Sequence, residues 1–123
     1  MQNSSETGHS FQMQVMDSLN SKIGGGFVDE VKLQIGNSPK DHRFDIVNCD
    51  RQIAIECKRY TWTESGNSPS AKIAHINEAG FYLSFLPDTY KKYVVMLYSV
   101  CSRKKEPLAE YYYRTYRHLL GGC

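Results

Sequence analysis

The chain has no apolar run approaching the ~18 residues that a membrane-spanning helix needs, which excludes such a span. Met1 to Ser10 is polar and does not read as a secretory leader, so a reducing cytoplasm is the expected compartment. Cysteine is sparse: the four are Cys49, Cys57, Cys101 and Cys123, with no paired metal-ligand spacing. Neither a disulfide framework nor a zinc knuckle is expected from them. Charge of one sign is also lacking. The formal net charge is only +2, so overall charge gives no argument for nucleic acid. There is no internal repeat, low-complexity tract or linker, and residues 1–123 read as a single domain. The chain stops at Gly121-Gly122-Cys123 just after a helical pattern, which leaves open that it is a fragment of a longer polypeptide.

What is present is an ordinary globular balance of 41% hydrophobic and 23% charged residues over 123 positions. Basic residues gather late. Residues 91–118 carry seven Lys or Arg against Glu106 and Glu110, a local charge of +5, and the rest of the chain carries −3. Such a surface can meet phosphate or simply be solvated.

Hydrophobic spacing gives the elements. Phe11, Val15, Leu19 and Ile23 recur at helical intervals before Gly24-Gly25-Gly26, which predicts a helix over about 5–22. Phe27, Asp29, Val31, Leu33 and Ile35 alternate with Val28, Glu30, Lys32 and Gln34, which predicts a strand with the first five on one face. Gly36 to Pro39 breaks it. The runs Arg43 to Asn48 and Gln52 to Lys58 read as a hairpin. Ser68 and Pro69 open a second helix over about 69–85, with Ile73, Ile76, Gly80 and Leu83 as its stripe. Tyr93 to Val100 reads as a buried strand, and Pro107 opens a last helix with Leu108, Tyr112, Thr115 and Leu119 inward. The order α-β-β-β-α-β-α predicts an α/β domain.

The hairpin carries the chemistry. Its simplest register sets Asn48 opposite Arg51 and Asp45 opposite Ala54, with Glu56 diagonal to Asp45. Asp45, Ala54, Glu56 and Lys58 then share one face, and Phe44, Ile46, Ile53, Ile55 and Cys57 form an apolar floor behind it. Hard carboxylate oxygens suit Mg²⁺ or Mn²⁺, which activates water and neutralises charge building on a phosphate. A lysine beside them can orient that water or stabilise developing negative charge. Like charges on one face also repel unless a cation separates them. The alternative is a solvated, charged strand face.

An Asp after an apolar residue, a short hairpin and then Glu56-Cys57-Lys58 resembles the PD-(D/E)xK nuclease superfamily. That group includes restriction endonucleases and archaeal Holliday-junction resolvases. The element order is similar to that family's core over about residues 5–100. The resemblance implies a restriction-endonuclease-like mixed sheet flanked by helices. It further implies that Asp45, Glu56 and the backbone carbonyl of Cys57 hold the metal, and that Lys58 is catalytic. Two positions depart from the pattern. Phe44 stands where proline is usual. In the Gly8-His9-Ser10-Phe11-Gln12 run, Gln12 stands where the family often has a helical glutamate, with Glu6 as the substitute candidate.

Other residues carry two readings each. Lys72, sharing a helix face with His75, either touches a scissile phosphate or is merely exposed. Trp62, near Tyr60, either stacks on a base or caps the core edge. Arg59 follows Lys58 and can contact phosphate from the other face. Tyr111, Arg114 and His118, with Arg117 beside them, suit nucleic acid or a dimer interface equally. The sequence therefore points to a Mg²⁺- or Mn²⁺-dependent endonuclease acting on DNA, with a homodimer expected for duplex cutting. The rival is a non-catalytic nucleic-acid-binding or interaction module on the same fold.

Overall fold

A computed structural model describes residues 4–63, 65, 67, 69–100 and 106–120, and their side chains from residue 8 onward. The elements are α1 (Ser4–Ile23), β1 (Val28–Ile35), β2 (Lys40–Asn48), β3 (Ile53–Lys58), α2 (Ser70–Ser84), β4 (Lys91–Met96) and α3 (Leu108–Tyr116), followed by a short 3₁₀ turn, Arg117–Leu119. This is an α/β domain in the expected order. Among the described residues the strands form a four-stranded mixed sheet, in spatial order β1-β2-β3-β4. The first three strands are antiparallel neighbours, and β4 runs parallel to β3 after the α2 crossover.

Apolar clusters pack against both faces of the sheet. On one face Val15, Met16 and Leu19 of α1 pack against Phe27, Ile46 and Ile55. On the other, Leu83 and Leu86 meet Phe44, Val47 and Ala54. Further along that second face, Ile73 and Ile76 of α2 join Leu108 and Tyr112 of α3. Phe44 is fully buried. Phe44→Ala is expected to cost ~3–5 kcal/mol by cavity formation, read as a lower midpoint in chemical denaturation. A midpoint shift under ~1 kcal/mol would mean that the second face is not a packed core.

Three sequence expectations are corrected. The β2–β3 connection is wider than the simplest register supposes. Asn48 pairs with Ile53, so residues 49–52 form the turn. A two-residue turn would place Cys49 and Asp50 at positive φ, a poor fit for a cysteine. Instead Asn48 Oδ1 accepts the Arg51 N–H (3.1 Å), and Gln52 takes the left-handed conformation (φ 53°). Asn48 also donates to the Gly25 carbonyl (3.2 Å), and a Cβ on Gly26 would stand 3.0 Å from its amide, so the loop after α1 needs glycine there.

The second correction concerns alternation. Phe27 lies under α1, whereas Val31, Leu33 and Ile35 lie on the α2 face. Phe44 likewise leaves the floor formed by Ile46 and Ile55 and joins Val47. The phase changes at Glu30, which has a positive φ (55°) in mid-strand. The β1–β2 pairing passes from Asp29↔Ile46 to Val31↔Phe44 and leaves out Glu30 and Asp45. A break of this kind re-aims the side chains beside it.

The third concerns the ends of elements. β4 begins at Lys91 and is an edge strand with Tyr93 about half exposed, not a buried strand over 93–100. Pro69 is the residue preceding α2 and makes no side-chain cap, while Ser68 lies outside the described residues. On the last helix, Leu108 and Tyr112 are inward as expected, but Leu119 is exposed.

Candidate active site

The site forms where the phase break in β1 and β2 faces the end of β3. Continuing the β2–β3 register by one step brings Asp45 level with Glu56, closer than the diagonal the sequence suggested. Asp45 Oδ2 accepts the Cys57 backbone N–H at 2.7 Å, which holds its carboxylate against β3. Glu56 is 5% exposed and shares a hydrogen bond with Asp45. Its other environment is unsatisfied: Oε1 is buried and accepts no hydrogen bond. His42 Nε2 lies 3.4 Å from that oxygen but is not aligned to donate.

Burial, foremost, and then the neighbouring Asp45 charge push the Glu56 carboxyl up to about 9, with Lys58 acting weakly in the opposite direction. Without a further cation the pair therefore holds a proton at neutral pH. Lys58 is half-buried, and its field reaches Glu56, His42 and Cys57. Among the described residues no ion pair ties its ammonium to either acid.

Gln12, from α1, is 6% exposed. Its Nε2 donates to the Asp45 backbone carbonyl (3.2 Å) and to Glu30 Oε1 (3.1 Å). Gln12 thus reaches the site, through the backbone of Asp45. The Glu6 side chain lies outside those described. Cys57 contributes its N–H. Its thiol packs on the α1 face, where burial first, then the charges of Asp45 and Glu56, push it up to about 12. A thiol so held is a poor nucleophile; the role expected of Cys57 was for its backbone carbonyl.

Two neighbours escaped the sequence reading. Glu30 enters from β1. His42 enters from β2, stacked on Tyr82 of α2 (centroids 3.9 Å apart) and edge-on to Phe44. Burial lowers the His42 pKa against the opposing pull of Asp45 and Glu78. A signal for Glu30 existed. Treating residues 36–39 as a tight hairpin turn pairs Ile35 with Lys40, and the same register sets Glu30 beside Asp45.

The remaining candidates do not join this group. Trp62 is 6% exposed within the α2–α3 core, with its indole N–H donating to the Glu106 carbonyl (3.1 Å). That is the core-edge place, not a platform on which a base can stack. Lys72 is exposed with its ammonium over the Tyr60 ring (5.3 Å), and Arg59 and His75 are exposed. Arg114 is engaged by Glu106 (2.9 Å) and lies over Tyr111. Of the basic C-terminal residues, Lys92 is buried and donates to the Leu86 carbonyl (2.9 Å), and residues 103–105 lie outside the described set.

Among the described residues no group of three or more His, Cys, Asp or Glu side chains is arranged to hold a metal ion. Two carboxylates nevertheless suit Mg²⁺, which keeps several waters and often takes only one or two protein carboxylates. The buried, partnerless Glu56 oxygen beside a second acid is the feature that a cation would satisfy. No helix among the described residues is long and apolar enough to cross a membrane. No protein-family model, curated protein or solved structure matches the chain.

Proposed function

We propose that this chain is a metal-dependent nuclease of the PD-(D/E)xK type, with a restriction-endonuclease-like fold, that hydrolyses DNA phosphodiester bonds. The observation that carries this reading is a buried Glu56 oxygen that accepts no hydrogen bond, on a carboxyl that lies beside Asp45. A purely structural pair would be expected to satisfy that oxygen, because a buried unpaired acceptor costs ~1–3 kcal/mol.

Asp45 and Glu56 would hold a Mg²⁺ or Mn²⁺ ion, aided by the Cys57 backbone and water. When bound, the ion supplies Lewis acidity toward the phosphate and a more acidic water. Asp45 is fixed for this by the Cys57 N–H at its side chain and Gln12 at its carbonyl. Lys58, whose ammonium is not consumed by either acid, orients the attacking water and offsets negative charge on the phosphate oxygens. The water oxygen forms a bond to phosphorus as one bridging P–O bond breaks; the attacking water gives up a proton to solvent, and the departing oxygen takes one from solvent. Two domains acting as a homodimer cut both strands of a duplex.

The test is cleavage of labelled linear, branched and single-stranded DNA with Mg²⁺, Mn²⁺ or EDTA, alongside Asp45→Asn. Cleavage is expected with either metal, none with EDTA, and a loss of at least ~10²-fold in the variant. DNA binding with no cleavage of any substrate under either metal would leave the non-catalytic binding module as the correct reading.

A further inference from the structure

Glu30 is an acid that the two-carboxylate site does not use, and Gln12 joins it to that site. One nitrogen of Gln12, in a nearly buried side chain, serves both the Asp45 carbonyl and the Glu30 carboxylate. Glu30 is also the residue at which β1 leaves its regular pairing, opposite Asp45. A left-handed conformation is unfavourable for a non-glycine residue, and here it brings a third carboxylate to the two already in contact. The neighbouring cations do not account for it. The Glu30–Arg43 pair spans 3.8 Å with both side chains largely in solvent, a geometry that contributes little. Glu56 is 95% buried in the same group, and its Oε1 accepts no hydrogen bond, with His42 Nε2 3.4 Å away and not aligned to donate; that oxygen is a separate sign that the acids face a ligand.

We infer that Glu30 is the third acidic group of the metal centre, binding the hydrated divalent cation through its water shell, and that Gln12 is the positioning residue that holds it there. The inference rests on the metal-centre reading above. Binding through water agrees with the absence, among the described residues, of a three-residue cluster close enough for direct ligation. It also gives Gln12 a reason to be an amide: a neutral donor joins Glu30 to the Asp45 backbone, where a carboxylate could not donate. Outer groups of this kind alter metal affinity by ~10–100-fold when removed.

The experiment is calorimetric titration of Mn²⁺ into the wild-type chain, Glu30→Gln, Arg43→Gln and Asp45→Asn, without DNA. Glu30→Gln keeps the shape and is expected to weaken binding about tenfold. Arg43→Gln removes the ion pair and is expected to bind as wild type or tighter. Wild-type affinity in Glu30→Gln, or an equal loss in Arg43→Gln, overturns the inference, since Glu30 would then be idle or act only through its pair. Asp45→Asn separates the two readings. If it binds Mn²⁺ as wild type does, the metal centre itself is misplaced. If it fails to bind while Glu30→Gln binds normally, only the role of Glu30 is lost.

Discussion

Lys58→Ala is expected to cut DNA ~10²–10³-fold more slowly at saturating metal, with the fold retained. The lysine sits near the end of β3, half-buried, and its ammonium is tied to no carboxylate among the described residues. Truncation therefore leaves no broken ion pair, and the melting midpoint should stay within about 0.5 kcal/mol of wild type. The lysine does favour the ionised form of Glu56, so its loss makes the metal-free pair hold its proton more firmly. At saturating Mn²⁺ that effect disappears, and the residual rate defect reports transition-state stabilisation alone. Single-turnover rates, with metal affinity measured in parallel, check this. Equal rates in the variant and wild type would remove Lys58 from the mechanism.

Glu56→Gln is expected to do the opposite to stability. The folded-state pKa of Glu56 is about 9 against 4.5 for a free side chain, so between those values the folded form keeps a proton that the unfolded form has lost. Metal-free stability should then fall as pH rises through that window and level off above it. At pH 7 the cost is ~3 kcal/mol at 1.36 kcal/mol per unit. Glutamine, uncharged at every pH, escapes it. The variant should melt higher than wild type in EDTA at pH 8, differ little at pH 5, and bind Mg²⁺ poorly. Wild type should regain stability on adding Mg²⁺, because a ligand that binds only the folded state stabilises it. Thermal melts at both pH values, with EDTA and with Mg²⁺, decide the matter. A variant that melts below wild type at pH 8 in EDTA would show that the acid pair is structural.

Much of the site was legible because strand side chains alternate whatever the details of a turn. The true β2–β3 register differs from the simplest one by two residues, an even shift, so Asp45 and Glu56 stay on the same side of the pair. A one-residue shift would have separated them. Gln12 was legible from its place in the first helix, although its partners were not. Trp62 was left open, and the α3 packing resolves it: the indole fills space between Ile73, Leu108 and Tyr112, a contact between segments more than 40 residues apart.

By itself the sequence determined the order of elements, their type, and the gathering of two acids and a lysine at one hairpin. These follow from local periodicity, which needs only neighbours a few residues away. The tertiary structure alone decided which way β1 and β2 turn their side chains. Covering the sheet on both faces lets Phe27 pack under α1 and Val31 under α2, and the chain makes that change by a left-handed Glu30 opposite Asp45. No local pattern announces such a reversal, because either phase buries apolar residues equally well until helices occupy both sides. The same reversal brings Glu30, Gln12 and Asp45 together, so the place of Glu30 beside Asp45 belongs to the packing of the domain and not to any motif.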